Sequence, residues 1–196
     1  MTYNTLFTTG FDYVKKGLYN KAAEIFTEGY EKNDPKCTYG LALLHLKGWH
    51  LPEDEAYATK LFEDCFNKLE AMANDGDAEA AFILFTCYYS LSEERFIDPD
   101  FDLAFEWLDT AADGEYPDAL FWLGIASMCG TLLPVAPDLE LGLSLLIECA
   151  EMGMSEAMLE LGDYYTPLDI DEAKEWYQKA IDLGNKDAEE RLSALD

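Results

Sequence analysis

The sequence predicts an all-α protein, an α-solenoid of about five helical hairpins closed by a C-terminal capping helix. Three observations predict it. One slot recurs five times, filled by Gly10, Ala42, Phe85, Gly124 and Gly162, and only Phe85 is large. A second slot follows each of these, filled by Ala22, Ala58, Ala104, Gly142 and Ala173, with large residues three and four positions on and a small one seven on. From that last small residue to the start of the next unit the steps are 8, 15, 8, 8 and 8 residues. Equal steps mark a structural repeat, and spacings of three, four and seven are those of one helix face.

In the first helix of each unit, the residue before the slot is Thr9, Leu41, Leu84, Leu123 or Leu161. Five before stand Thr5, Cys37, Ala80, Ala119 and Ala157, and three after stand Tyr13, His45, Tyr88, Ser127 and Tyr165. Together these line one stripe. In the second helix the large pairs are Ile25-Phe26, Leu61-Phe62, Trp107-Leu108, Leu145-Leu146 and Trp176-Tyr177, followed by Gly29, Cys65, Ala111, Cys149 and Ala180. Such a face lets a neighbouring helix approach closely and fills the gap beside it. A hairpin of this kind cannot bury its apolar side alone, so neighbours must stack.

The chain therefore divides into units at 1–34, 35–76, 77–114, 115–153 and 154–184, read as a single repeat domain over 1–196. The step of 15 adds seven residues, about two helical turns, so Asp54 to Asn74 is predicted as one long helix. Gly48 to Pro52, Ser90 to Pro99 and Gly130 to Pro137 have the Gly, Pro and Ser content of interhelical loops. Residues 185–196 form the cap, with Glu189, Glu190 and Arg191 on its solvent side.

Composition narrows the function. The chain has 13 Lys+Arg against 40 Asp+Glu, a formal charge of −27, yet 49% of it is hydrophobic and 14% aromatic. That is a packed acidic protein and no disordered tail. Excess carboxylate repels phosphate, so nucleic acid and anionic membrane are poor ligands, and a basic protein or peptide is a better one. Met1 to Asp12 lacks the pattern of a secretory leader, and no apolar run approaches the roughly 20 residues that span a bilayer. A cytoplasmic location is expected.

Five cysteines, Cys37, Cys65, Cys87, Cys129 and Cys149, contain no CxxC pair, which argues against a disulfide framework or a thiolate zinc site. Cys37, Cys65 and Cys149 fall in slots for small buried residues; Cys87 and Cys129 fall outside them. Of the two histidines, His45 takes a packing slot and His50 lies in the Gly48 to Pro52 loop, with no nucleophile motif beside either. Asp98, Asp100 and Asp102 alternate like the start of a calcium loop, but Leu103 stands where Gly is required and Asp109 where Glu is expected. They read as the cap of a helix beginning near Asp102. Glu53, Asp54 and Glu55, and Asp169, Asp171 and Glu172, likewise suit helix N-termini. No catalytic residue, cofactor or metal is expected. The competing reading is an enzyme or metal protein using His50, the Asp98 to Asp102 cluster or an exposed cysteine.

With these residues in place, the chain resembles the Sel-one-like repeat family, a branch of the tetratricopeptide-like helical repeats. The fifth unit carries the resemblance most fully, through Ala157, Leu161-Gly162, Tyr165, Ala173, Trp176-Tyr177, Lys179-Ala180 and Gly184. The fourth keeps Ala119, Leu123-Gly124, Gly130, Ala150 and Gly153, and the third keeps Trp107, Ala111-Ala112 and Gly114 but has Phe85 where Gly is usual. The first is closer to a plain tetratricopeptide hairpin, with Gly17, Tyr19, Ala22 and Phe26. The resemblance implies a right-handed α/α superhelix that binds other proteins without catalysis. It also implies a concave side formed by first-helix positions three before, one after and four after the small slot.

Those positions are Phe7, Phe11, Val14; Tyr39, Leu43, Leu46; Phe82, Thr86, Tyr89; Phe121, Ile125, Met128; and Leu159, Asp163, Thr166. Of these, Phe7, Phe11, Tyr39, Leu43, Phe82, Tyr89, Phe121 and Met128 are the candidate protein-binding residues. An apolar groove rimmed by carboxylates suits an amphipathic or basic segment, with aromatics as anchors and acids as the steering field. If the curvature is tight, the same stripe is core. A sharper form of the binding reading is an immunity protein or antitoxin blocking a basic toxic enzyme; another is an oligomer in which the groove pairs with a second copy.

Overall fold

The computed structural model describes residues 5–90, 95–130 and 136–195, and among these all regular structure is helical. Residues 91–94 and 131–135 of the two longest connections, with 1–4 and 196 at the ends, lie outside the described residues. The helices are α1 (Leu6–Lys15), α2 (Tyr19–Glu31), α3 (Pro35–Leu46), α4 (Glu55–Asn74), α5 (Ala78–Tyr89), α6 (Phe101–Asp113), α7 (Pro117–Cys129), α8 (Leu139–Glu151), α9 (Ser155–Tyr165), α10 (Ile170–Asp182) and α11 (Lys186–Ser193). They fall into two compact units, Met1–Tyr116 and Pro117–Asp196.

Helix starts are fixed by side chains that accept from the exposed N–H groups of the first turn. Thr5, Asp34, Asp54, Asp77, Asp100, Asp138, Asp169 and Asn185 all do this. Six of the eight are Asp, so part of the acid excess is structural, placed where the helix dipole favours it. The long second helix of the second hairpin is present as α4, 20 residues capped by Asp54. Asp100, within the alternating acid run, caps α6 through the Leu103 N–H at 3.1 Å.

In the unit Met1–Tyr116 the hairpins are α1/α2, α3/α4 and α5/α6, joined by packing of α2 on α3 and α4 on α5. The small slot works by close approach. A Cβ at Gly10 would overlap the Phe26 ring, and in the unit Pro117–Asp196 one at Gly162 would overlap the ring of Tyr177, the corresponding residue. Where the slot holds Phe85, the corresponding second-helix residue is Leu108 instead of an aromatic, and both are fully buried. In that repeat, volume added on the first helix is matched by a smaller side chain on the second.

The first unit winds tightly enough that hairpins one and three touch. Glu79, fully buried in the first turn of α5, accepts from Thr5 Oγ1 at 2.9 Å and Thr8 Oγ1 at 2.5 Å, both on or capping α1. Lys36 of α3 reaches the same carboxylate at 2.6 Å and Asp77 at 3.1 Å. A buried carboxylate must be paired and hydrogen-bonded to be tolerated, and here three helix N-termini share the task.

The unit Pro117–Asp196 contains the hairpins α7/α8 and α9/α10, with α11 packed on α10. Only Ala188 of α11 is fully buried, the polar-faced cap that the sequence calls for.

Candidate protein-binding face

The structure sorts the predicted stripe by depth. Phe7, Tyr39 and Phe82, the residues three before the small slot in the first three units, are 3%, 6% and 7% exposed. They are core. The physical reason is local packing: Phe7 and Tyr39 are held together by the α1–α3 contact, and Phe82 is covered from its own hairpin and the Tyr116 turn. Phe7 packs on Phe26 at 5.9 Å and on Tyr39 at 6.4 Å, and Phe82 packs on Phe85 and Tyr116 at 5.5 and 5.1 Å. These three side chains hold the face together and offer little surface to a partner.

Further along the same helices the face opens. Phe11, Leu43 and Tyr89 are half-buried. Phe11 stacks on Phe7 at 5.6 Å and Tyr89 stacks on Phe85 at 5.3 Å, so each exposed ring is backed by a buried one. Between α3 and α5 lies a cavity of about 120 Å³, lined among others by Tyr39, Leu43, Thr86, Lys47, Arg95 and Phe96. Tyr39 Oη and Thr86 Oγ1, 3.3 Å apart, bridge the two helices there.

Phe96 is the residue that sequence reasoning missed. It belongs to the third unit's connection, read as a plain loop, yet its ring stacks on Phe62 at 4.4 Å with an interplanar angle of 7° and meets Tyr39 edge-on at 6.4 Å. Asp98 beside it pairs with Arg95 at 3.1 Å. The available signal was a Phe-Ile pair inside a segment otherwise rich in turn and acidic residues.

In the unit Pro117–Asp196, Phe121 and Met128 of α7 are half-buried. Met128 sits against Gly142 of α8, where a Cβ would come within 2.5 Å of its Cγ. On α9 the stripe turns polar. Asp163 accepts from Tyr177 Oη at 2.7 Å and pairs with Arg191 of α11 at 3.3 Å.

The remaining chemistry-bearing residues have structural surroundings. His45 is half-buried, with Nδ1 3.0 Å from the Pro52 carbonyl and its ring edge-on to Tyr57. His50 is exposed in a left-handed conformation, φ 67°. Cys37, Cys65, Cys87 and Cys149 are buried and Cys129 is exposed. Burial pushes the thiols of Cys65, Cys87 and Cys149 up to about 12, far from the thiolate that reacts or binds metal. Among the described residues no three His, Cys, Asp or Glu side chains converge as a metal site, and no helix is long and apolar enough to cross a membrane.

Comparison with known proteins fits this geometry. The Sel1 repeat model matches residues 35–63, 78–116, 117–154 and 149–185, leaving the first hairpin outside. No curated protein matches the chain. Among solved structures, a Sel1 repeat protein from Oxalobacter formigenes is similar at 25% identity and a TM-score of 0.61, over 90% of this chain and 49% of that one. Two immunity proteins from Pseudomonas aeruginosa share the fold, at 23% identity and TM-score 0.57 over 86% of this chain and 60% of that one, and at 20% and 0.56 over 91% and 66%. The chain thus spans about half the length of the first and some two thirds or less of the others. Its repeats, their register and their helical hairpins together show that the chain belongs to the Sel1 repeat family.

Proposed function

We propose that this chain is a protein-interaction scaffold that captures a basic partner on the first-helix face of the unit Met1–Tyr116. The observation that supports it is the cavity between α3 and α5, with half-buried Phe11, Leu43 and Tyr89 on the same run of first helices, in a molecule of formal charge −27. Rings already backed by core lose little conformational freedom on binding, which makes them good anchors. The carboxylates supply a long-range field that speeds encounter with a positively charged partner and falls with salt. Phe7, Tyr39 and Phe82 support this face from beneath. In the other unit, half-buried Phe121 and Met128 of α7 remain candidates in their own right.

Affinity capture from native cell extract, with wild type and with Leu43→Asp and Tyr89→Ser, tests this. The expected result is a basic protein held by wild type, released by salt, and captured about tenfold less well by the variants. Undiminished capture by Leu43→Asp at unchanged thermal midpoint would contradict it.

A second reading, an immunity protein that blocks a basic toxic enzyme, is favoured by one observation: two structures sharing the fold are immunity proteins. Co-expression with the product of a neighbouring gene encoding a basic enzyme should then rescue growth that the enzyme alone arrests. Rescue that survives deletion of this chain removes the reading.

A further inference from the structure

From Phe96 to Ala173 the chain carries 18 Asp and Glu and no Lys, Arg or His. Within that stretch, in the unit Pro117–Asp196, four large aliphatic side chains stand in the open: Leu139 at 48%, Leu141 at 43%, Leu168 at 65% and Ile170 at 48% exposed. They are not scattered. Leu139 and Leu141 lie in the first turn of α8, while Leu168 and Ile170 flank the cap residue of α10. Because α8 runs antiparallel to α9 across a three-residue turn and packs on it, the start of α8 lies level with the end of α9, from which 167–170 lead into α10. Since α10 also packs on α9, all four residues lie at the same end of the unit.

The acids interleave with them. Asp138, Glu140, Asp169 and Asp171 are exposed and alternate with the four apolar residues along the chain. In the other unit the second helix α6 likewise begins with a large apolar residue, Phe101, 42% exposed, whereas α4 begins with Glu55. Isolated exposed leucines are ordinary, but four large aliphatics at one end of a unit, interleaved along the chain with four exposed acids and with Lys174 a turn further along α10, mark a surface with a specific complement.

We infer that this end of the α8/α9/α10 assembly is a second docking surface, distinct from the first-helix face, and that its occupant is a cationic amphipathic segment of a partner protein. Apolar residues of the segment cover the four aliphatics, and its Lys or Arg side chains meet Asp138, Glu140, Asp169 and Asp171. Charge complementarity selects this occupant. A second copy of this chain would set acid against acid, and a nucleic acid or anionic lipid surface would be repelled.

Titration of the full chain with a labelled 14-residue Leu/Lys peptide of helical periodicity tests the surface, read by fluorescence anisotropy at physiological salt. A matched peptide with Ser for Leu isolates charge. Wild type should bind the amphipathic peptide about tenfold more tightly than the Ser peptide. L139S/L141S and L168S/I170S, prepared as separate pairs because exposed sites tolerate Ser, should each lose a large part of that difference with thermal midpoints unchanged. M152S/L183S, at exposed apolar sites on the opposite ends of the same helices, should not. Equal binding of the two peptides, no binding, or full binding by both serine pairs overturns the proposal, as does wild-type self-association abolished by the same pairs without peptide binding. Leu43→Asp should leave peptide binding intact, so failure of the first-helix face and failure of this surface are read separately.

Discussion

Lys36 and Glu79 occupy the same place in successive repeats, six residues before the small slot, and their contact buries a charge pair at the junction of three helices. Later repeats put Asp118 and Glu156 there, so in the sequence the position looks like a solvated helix start. Only the winding that brings α1 onto α5 makes it interior, which is why this clasp was illegible before the structure. Lys36→Met leaves Glu79 buried beside hydroxyls alone and should destabilise the first unit by about 3–5 kcal/mol; removing both charges should cost far less. Denaturant titration of the single and double variants measures this. The pair also sets a pH limit. Burial pulls the Lys36 ammonium down, but Glu79 and Asp77 outweigh it and hold it above its ordinary 10.5. A base raised by its partners contributes stability that is complete below that ordinary value and is lost as pH climbs through the raised one. Wild type should therefore lose stability above about pH 10.5 more steeply than the double variant. The cysteines, by contrast, were largely legible, since three share slots with Ala and Gly. Native alkylation followed by mass spectrometry should give one fast adduct, at exposed Cys129, and slow reaction elsewhere.

At the scale of elements, periodicity carried most of the information. The 15-residue step predicts the length of α4, and the two acid clusters at 53–55 and 169–172 predict caps that Asp54 and Asp169 form. What periodicity could not give is depth within a stripe. Phe82 and Tyr89 sit on one helix face seven residues apart, yet one is core and the other half-open, because Phe85 and Tyr116 close over Phe82 while Tyr89 lies at the end of the helix. The consequence for mutagenesis is direct. Phe82→Ala removes a ring packed between Phe85 and Tyr116 and should cost about 3–5 kcal/mol, seen as a lower thermal midpoint. Tyr89→Ser, which gives up the stack on Phe85 and the edge contact with Phe101, should cost less, about 1 kcal/mol, while lowering partner capture. A reversed pattern would mean that the stripe is ordered differently from this structure. Phe96 shows the complementary limit: an aromatic in a connection has no period to reveal that it packs back on Phe62.

For the whole molecule, sequence and structure agree on a helical-repeat protein of the Sel1 family; in the proposed function its charge decides which partners approach its surfaces. Acid enters the fold for two reasons that composition alone cannot separate. Six Asp residues cap helices, three of them within the run from Phe96 to Ala173, and the acids of that run, with no base among them in sequence, add to a negative field. Salt should therefore slow association far more than it speeds dissociation, because steering acts over distance and the apolar anchors act in contact. Hydrogen–deuterium exchange of the chain, free and bound to the partner captured from extract, tests the account most directly. Slowed exchange along α1, α3 and α5 at and beyond Phe11, Leu43 and Tyr89 is the predicted footprint; protection confined to α2, α4 and α6, with these first helices unchanged, would contradict it.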